Sequence, residues 1–223
     1  MHNRITSALV RECRTDRMLE IQPSTQINFL QGRDAEGFLL ALAGLFGGLP
    51  ENGFHSMEEY EVKAAVVWTD GLSCTLGARF SKEEKAVWVH SVDDTKSTLS
   101  AHSPEKVKAI HKRRFRNGTN TTHIFDNTSK SGNLDRLGES DETLRRFQLF
   151  LQEAQRCSMP GDTRPLFLYN FLERLDEAVD LQPIFEALNA TGRQVFIAVP
   201  HYYKIEKLEG KEYGATIHHE SSL

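Results

Sequence analysis

Residues 27–43 constrain the fold most strongly, because they join two apolar runs through a short polar stretch that contains two glycines. The segment reads INFLQGRDAEGFLLALA, and four residues separate Gly32 from Gly37. A short apolar run that ends at a glycine is typical of a buried strand, and the second run has the length and spacing of a helix. We therefore expect a buried strand, a turn and a helix packed in the core.

The spacing of these glycines is that of a phosphate-binding loop, written G-x-x-x-x-G-K-[ST] between a buried strand and a helix. In such a loop the lysine reaches the β- and γ-phosphates, and the Ser or Thr hydroxyl binds Mg²⁺. Phe38 and Leu39 occupy these two positions here. The segment therefore keeps the framework of the loop without its ligands, or alternatively its glycines are ordinary turn residues.

The remaining patterns indicate an α/β chain. The N-terminal residues contain two expected strands, and residues 58–92 are β-rich with a hairpin turn at Asp70-Gly71, which predicts a small antiparallel β lobe. Residues 93–135 are polar, with one helix expected over residues 104–116, and are interpreted as a helical insertion. Residues 136–223 alternate helices with short apolar strands, which indicates a parallel sheet.

The order of these segments resembles the head of an ABC-type ATPase of the RecF/SMC kind. In that family a signature motif, LSGGE, opens a long helix, and a Walker B strand ending in Asp-Glu, a D-loop containing Leu-Asp and a switch histidine follow. Here RLGESDETLRRFQLFLQEAQ resembles the signature helix, RPLFLYNFLERLDEAVD the Walker B strand with the D-loop, and GRQVFIAVPHYY the switch strand. The resemblance implies one P-loop NTPase-like head over residues 1–223, with a parallel sheet core, an antiparallel β lobe and a short helical insertion.

Carried over position by position, most nucleotide and metal ligands of that family are absent. The signature position holds Leu137, Gly138, Glu139 and Ser140, the Walker B position holds Tyr169 and Asn170, and the D-loop and switch positions hold Leu175, Asp176 and His201. The D-loop pair matches the family, but no glutamine lies between Gln31 and Gln148 to serve the Q-loop. The resemblance therefore implies a pseudo-ATPase head with no catalytic residues, no ATP or Mg²⁺ cofactor and no metal site.

Two alternatives stand beside this interpretation. Asp176 and Glu177 also suit an ordinary helix N-terminus, where a carboxylate caps backbone N–H groups, and His201 also suits a strand end. The same three residues would instead serve a divergent or composite ATPase site, hydrolysing ATP together with a partner head that supplies the lysine. The first alternative is structural and the second catalytic.

A basic segment over residues 106–116 is the remaining functional candidate. Its six cations are Lys106, Lys108, Lys112, Arg113, Arg114 and Arg116, and Phe115 is interleaved. Clustered cations neutralise DNA phosphates, and an aromatic ring can stack on a base. In the family a coiled-coil arm is inserted in this region, but the segment here is short and lacks heptads. DNA contact, a solvated helix face and a stub that contacts a partner are the three interpretations.

The function expected from these features is that of a non-catalytic ABC/SMC-like head, serving as a structural or DNA-binding subunit of a DNA repair, chromosome-organising or genome-defence complex. Its expected partners are another ATPase head, a second copy of itself and DNA, with no membrane. The composition, 39% hydrophobic and 26% charged with a net charge of −4, is that of a globular chain, and no apolar run approaches membrane-spanning length. A cytoplasmic or nucleoid-associated location is expected.

The C-terminal segment leaves two further interpretations. Residues 204–219 are compatible with a last pair of strands. His218, His219 and Glu220 then form either a metal chelate or part of a solvated tail.

Overall fold

The structure is a computed structural model, and it describes residues 4–23, 26–46, 59–67, 73–81, 85–91, 124–127, 136–156, 164–203 and 215–222. The strands are β1 (Arg4–Glu12), β2 (Arg17–Ile21), β3 (Ile27–Gly32), β4 (Glu59–Val67), β5 (Ser73–Ser81), β6 (Lys85–Ser91), β7 (Ile124–Asp126), β8 (Leu166–Tyr169), β9 (Val195–Pro200), β10 (Ala215–His219) and β11 (Ser221–Ser222). The helices are α1 (Ala35–Gly44), α2 (Arg136–Arg156) and α3 (Gln182–Ala190), with a 3₁₀ helix at Leu172–Arg174. The turn predicted at Asp70-Gly71 and the helix predicted over residues 104–116 lie outside the described residues.

An antiparallel sheet contains six of these strands, in the order β11-β2-β1-β4-β5-β6. The β1–β2 turn is closed by the Glu12 carboxylate, which accepts hydrogen bonds from the Thr15 backbone N–H and hydroxyl. The antiparallel lobe that we predicted over residues 58–92 is only part of this sheet. It is continuous with the N-terminal hairpin because β1 pairs with β4 along nearly its whole length.

A parallel sheet contains the other five strands, in the order β10-β3-β9-β8-β7, and all of its neighbouring strands run parallel. This confirms the predicted α/β fold class with a parallel sheet. The C-terminal segment differs from the predicted strand pair. β10 adds to the parallel sheet beside β3, whereas β11 adds to the antiparallel sheet beside β2. The two final strands therefore tie one sheet to the other.

Helix α1 lies between the two sheets and is buried from Phe38 to Gly44. One core cluster joins it to the inward side chains of the antiparallel sheet and to one face of the parallel sheet, where Leu30 and Phe167 contribute. A helix that is apolar on all sides must be covered on all sides. Each fully buried leucine of α1 contributes about 1.5–3 kcal/mol to this layer.

The second core cluster fills the opposite face of the parallel sheet, beneath α2 and α3. Because side chains alternate along a strand, Phe29 of β3 points into this cluster while Leu30 points toward α1. Phe29 meets the ring of Phe185 on α3 edge to face, and Phe125 of β7 meets Phe147 of α2 in the same way. Every residue of β9 is buried, as expected for a strand covered on both faces.

The buried side chain of Gln194, the residue just before β9, is hydrogen-bonded to the backbone of β1 in the antiparallel sheet. Its amide oxygen accepts from the Ile5 N–H at 2.8 Å, and its amide nitrogen donates to the Ile5 carbonyl at 2.9 Å. The pairing of β2 with β1 stops at Ala8, so the outer backbone edge of Ile5 has no partner from β2. Gln194 takes the place of that strand and satisfies both backbone groups.

We expect Gln194→Leu to lower the free energy of unfolding by about 2–4 kcal/mol, because it leaves two buried backbone groups of Ile5 without these hydrogen bonds. Urea denaturation followed by circular dichroism measures the change. Gln152→Leu, at an exposed position of α2, is the matched control and should change the value by less than about 0.5 kcal/mol. Equal effects for the two variants would contradict the assignment.

Candidate functional site

The carboxyl end of the parallel sheet is the place where a ligand site is expected. In open α/β sheets, ligands bind outside the carboxyl ends of strands at a point where the chain connections diverge. Here β3 and β9 are neighbours, with Gly32 opposite Pro200 at their ends. The chain leaves β3 toward the far edge of the sheet at β7 and leaves β9 toward the opposite edge at β10. The predicted loop, Walker B and switch positions follow β3, β8 and β9, so the structure brings these three segments to one edge.

The connection after β3 is shorter than a phosphate-binding loop. α1 begins at Ala35, so two residues separate the strand from the helix, and Gly37, Phe38 and Leu39 lie inside the helix. Phe38 and Leu39 are fully buried, and the Phe38 ring meets Tyr60 of β4 edge to face. A Cβ at Gly37 would collide with the Tyr60 hydroxyl. The packing of α1 between the two sheets therefore explains why glycine, phenylalanine and leucine stand at positions 37, 38 and 39.

A network of side chains occupies the ends of β3 and β8. Asn170 follows β8 in a left-handed backbone conformation, with φ of 52°, which asparagine tolerates better than most residues. The oxygen and nitrogen of the Asn170 amide are assigned from their neighbours: with the nitrogen facing the two carboxylates, Asn170 donates to Glu173 Oε1 and to Glu36 Oε1, the latter at 2.5 Å. Asn170, which the sequence comparison aligned with the Walker B glutamate, therefore bridges two acidic side chains of the chain itself.

Two tyrosines complete the same network. Burial raises the pKa of Tyr169 well above its usual range, and the adjacent Glu36 carboxylate, to which its hydroxyl is hydrogen-bonded, raises it further. The Tyr202 hydroxyl donates to Glu173 Oε2 at 2.8 Å. Most of the Tyr202 side chain is exposed, but partial desolvation of its hydroxyl together with that carboxylate raises the pKa of Tyr202 to about 12. Both hydroxyls stay protonated near neutral pH and act as donors to the carboxylates.

The signature-like and D-loop-like segments are also brought together. Leu137, Gly138, Glu139 and Ser140 lie in the first turns of α2. Glu139 forms an ion pair with Arg174, and the Ser140 hydroxyl oxygen accepts the backbone N–H of Asp176 at 3.1 Å. The Asp176 carboxylate accepts the N–H of Ala178 at 2.9 Å, so it caps a local turn. The next helix begins only at Gln182, so this contact closes a turn and is not the helix N-terminus that the structural alternative expected for Asp176 and Glu177. Leu175 packs against the core beneath α2.

The switch position lies at the same edge but points outward. His201 follows β9, is exposed, and has its ring 5.5 Å from that of Tyr202. Glu177 is exposed as well. His201 and Glu177 are therefore both surface residues.

The C-terminal segment contributes a contact that sequence reasoning missed. Glu220 reaches the turn after β3, where its carboxylate accepts the backbone N–H of Asp34 at 3.0 Å and pairs with Arg17. His218 is buried with Nε2 3.4 Å from Asn28 Oδ1, and burial lowers the pKa of His218. The interpretation as a solvated tail is therefore wrong for His218 and Glu220, whereas His219 is exposed.

Comparison with known proteins adds no assignment: no protein-family model matches the sequence, and no curated protein matches it. Within the described ranges, no cluster of three or more His, Cys, Asp or Glu residues has the arrangement of a metal site. No helix in that part of the chain is long and apolar enough to cross a membrane. The six cations of residues 106–116 lie outside the described residues.

We expect Asn170→Asp to destabilise the protein by about 1–3 kcal/mol at pH 7, because it replaces a donor with a third carboxylate between Glu36 and Glu173. The new carboxyl should have a raised folded-state pKa. The folded state then binds its proton first as the pH falls, so the loss should shrink between pH 7 and about 4.

Urea unfolding of the Asn170→Asp protein at several pH values measures this loss. Gln152→Glu, on the exposed face of α2, adds the same charge away from the network and serves as the control. A loss for Asn170→Asp that is independent of pH, or no larger than that of the control, would contradict the bridging role of the amide.

Proposed function

We propose that this chain is a non-catalytic ABC/SMC-like head that serves as a structural subunit of a DNA repair, chromosome-organising or genome-defence complex. The resemblance requires the loop, Walker B and switch segments to meet, and they follow neighbouring strands of the parallel sheet. It also requires an antiparallel lobe against the loop helix, and α1 packs against such a sheet. These two features support the head architecture.

The observation that carries the non-catalytic part of the proposal is the bridging of Glu36, Asn170 and Glu173 at the end of β8. Phosphoryl transfer needs positive charge beside the phosphates, supplied by lysine and Mg²⁺, and a residue that orients water. The Walker B and loop positions instead bring together two carboxylates, an amide and two tyrosine hydroxyls that bond to one another. Such a network stabilises the fold without offering the charge that a triphosphate requires.

A structural head keeps the surfaces by which heads associate, so its partner is another ATPase head or a second copy of this chain. The signature-like segment supports this use, since Glu139 and Ser140 are held against the D-loop-like segment by Arg174 and the Asp176 N–H. These contacts make one rigid surface from the two segments that face the partner in the resembling family.

The proposal predicts that Mg·ATP neither raises the thermal unfolding temperature of the isolated chain nor is hydrolysed by it, with or without DNA. An active ATPase head measured in parallel is the positive control. Turnover that disappears in Asp176→Ala, but persists in Asp141→Ala at an exposed position of α2, would favour the divergent or composite ATPase instead.

A DNA-binding role is proposed separately, from the six cations in residues 106–116. We expect the triple change of Lys112, Arg113 and Arg114 to Glu to weaken binding to duplex DNA. It should also reduce the slope of log affinity against log salt by about 2–3, because each lost phosphate contact removes about 0.9. Fluorescence anisotropy with labelled DNA at several salt concentrations measures both quantities.

The control for that experiment changes Arg4, Arg33 and Lys63 to Glu. These are three exposed cations of the described part of the chain. This control makes the same change in net charge at residues that are not part of the basic segment. Unchanged affinity and slope in the Lys112, Arg113 and Arg114 variant would exclude the DNA role and leave the structural one.

A further inference from the structure

The turn after β3 is closed by a side chain from the C-terminal strands. Glu220 lies between β10, which pairs with β3, and β11, which pairs with β2. Its backbone N–H donates to the Gln31 carbonyl at 2.9 Å, which holds it beside the end of β3. The segment from β10 to β11 therefore crosses from one sheet to the other directly over the turn.

The Glu220 side chain fills the space next to Gly32. A Cβ at Gly32 would lie 2.5 Å from the Glu220 Cβ and would also collide with its carboxylate. Only glycine leaves room for Glu220 in this place. Gly32 resembles the first glycine of a phosphate-binding loop, but here the space beside it is filled by a carboxylate of the chain.

The Glu220 carboxylate is bound by the same kinds of donors that would bind a free anion such as phosphate. It accepts the Asp34 N–H, at the start of α1, at 3.0 Å, and its other oxygen lies 3.4 Å from Arg17 Nε. Backbone N–H groups at a helix N-terminus and an arginine are the donors that proteins offer to phosphate. The Glu220 side chain is only 11% exposed.

The cation beside this carboxylate is already shared between two carboxylates of the chain. Arg17 also pairs with the Asp34 carboxylate at 3.0 Å, so one guanidinium faces two carboxylates. A phosphate added to this arrangement would meet two negative charges. If Glu220 lost its carboxylate, Arg17 and Asp34 would balance, and the space and the Asp34 N–H would be open to one small anion.

We propose that Glu220 is a built-in anion that occupies the phosphate side of the turn after β3 and keeps free phosphate out. This proposal rests on the proposed function in one respect: it takes the turn after β3 to correspond to the nucleotide-binding loop of an ATPase head. The contacts that carry it belong to Arg17, Gly32, Asp34 and Glu220. It explains how a strand–turn–helix unit of this kind remains stable without a nucleotide.

The test is chemical rescue of the full-length chain. Glu220→Ala removes the carboxylate and leaves space, Glu220→Gln keeps the volume without the charge, and Glu153→Ala removes an exposed carboxylate from α2 as the control. Urea unfolding of each protein is followed with sodium formate or inorganic phosphate, at an ionic strength held constant with chloride.

Glu220→Ala should unfold at lower urea than the wild type, and its midpoint should rise saturably with formate or phosphate. At an anion concentration ten times its dissociation constant, the unfolding equilibrium constant should fall about tenfold. The wild type, Glu220→Gln and Glu153→Ala should show no saturable response. If Glu220→Ala does not fold in chloride, refolding in formate or phosphate should recover it.

Three results would each overturn the proposal. The first is an anion response of Glu220→Ala no larger than that of the wild type, and the second is failure of both anions to refold a variant that is unfolded in chloride. Saturable phosphate binding by the wild type would overturn it as well. None of these outcomes depends on ATP turnover or on a protein partner, so they are distinct from a failure of the proposed function.

Discussion

Burial of α1 between two sheets is the constraint on which the rest of the structure depends. The helix is apolar around its circumference, and neither sheet alone can cover it. The antiparallel sheet covers one side, and the face of the parallel sheet that carries Leu30 and Phe167 covers the other. Gln194 and the crossing from β10 to β11 hold the sheets together around it. Since the loop after β3 leads directly into this helix, the packing of α1 also decides the shape of the candidate site.

The carboxyl edge of the parallel sheet is consequently built from groups that bond to one another. Asn170 joins Glu36 to Glu173, Glu139 pairs with Arg174, and Glu220 closes the turn after β3. Each of these contacts lies at a position compared with a phosphate or metal ligand of ABC-type heads. At each one, a carboxylate of this chain is bonded to donors of the same chain. These side chains are partly buried, and pairing is favourable there because a polar group that loses water without gaining a partner costs stability.

The local elements were predictable where one short-range pattern dominated. The strand over residues 27–32 and the long helix after residue 136 follow from apolar runs and periodicity. The length of the connection after β3 was not predictable from its glycines, since Gly37 belongs to the helix. A glycine is needed there because a Cβ would collide with the hydroxyl of Tyr60, which lies on β4 and packs against α1. Similarly, the tail gave no sign of its destination, because β10 and β11 are defined by partners about 200 residues earlier in the chain.

Residue type and local periodicity are enough to indicate the α/β class of fold, and they show that lysine, hydroxyl and Asp-Glu pairs are absent from the positions compared with ABC-type heads. The contacts that the residues at those positions make follow only from the tertiary structure. Glu36 comes within reach of Asn170 only when β3 and β8 lie in one sheet, and Glu220 reaches Arg17 only when the chain crosses between sheets. Hydrogen bonds and charge pairs between distant segments depend on the fold for their geometry, so they cannot be read from neighbouring residues.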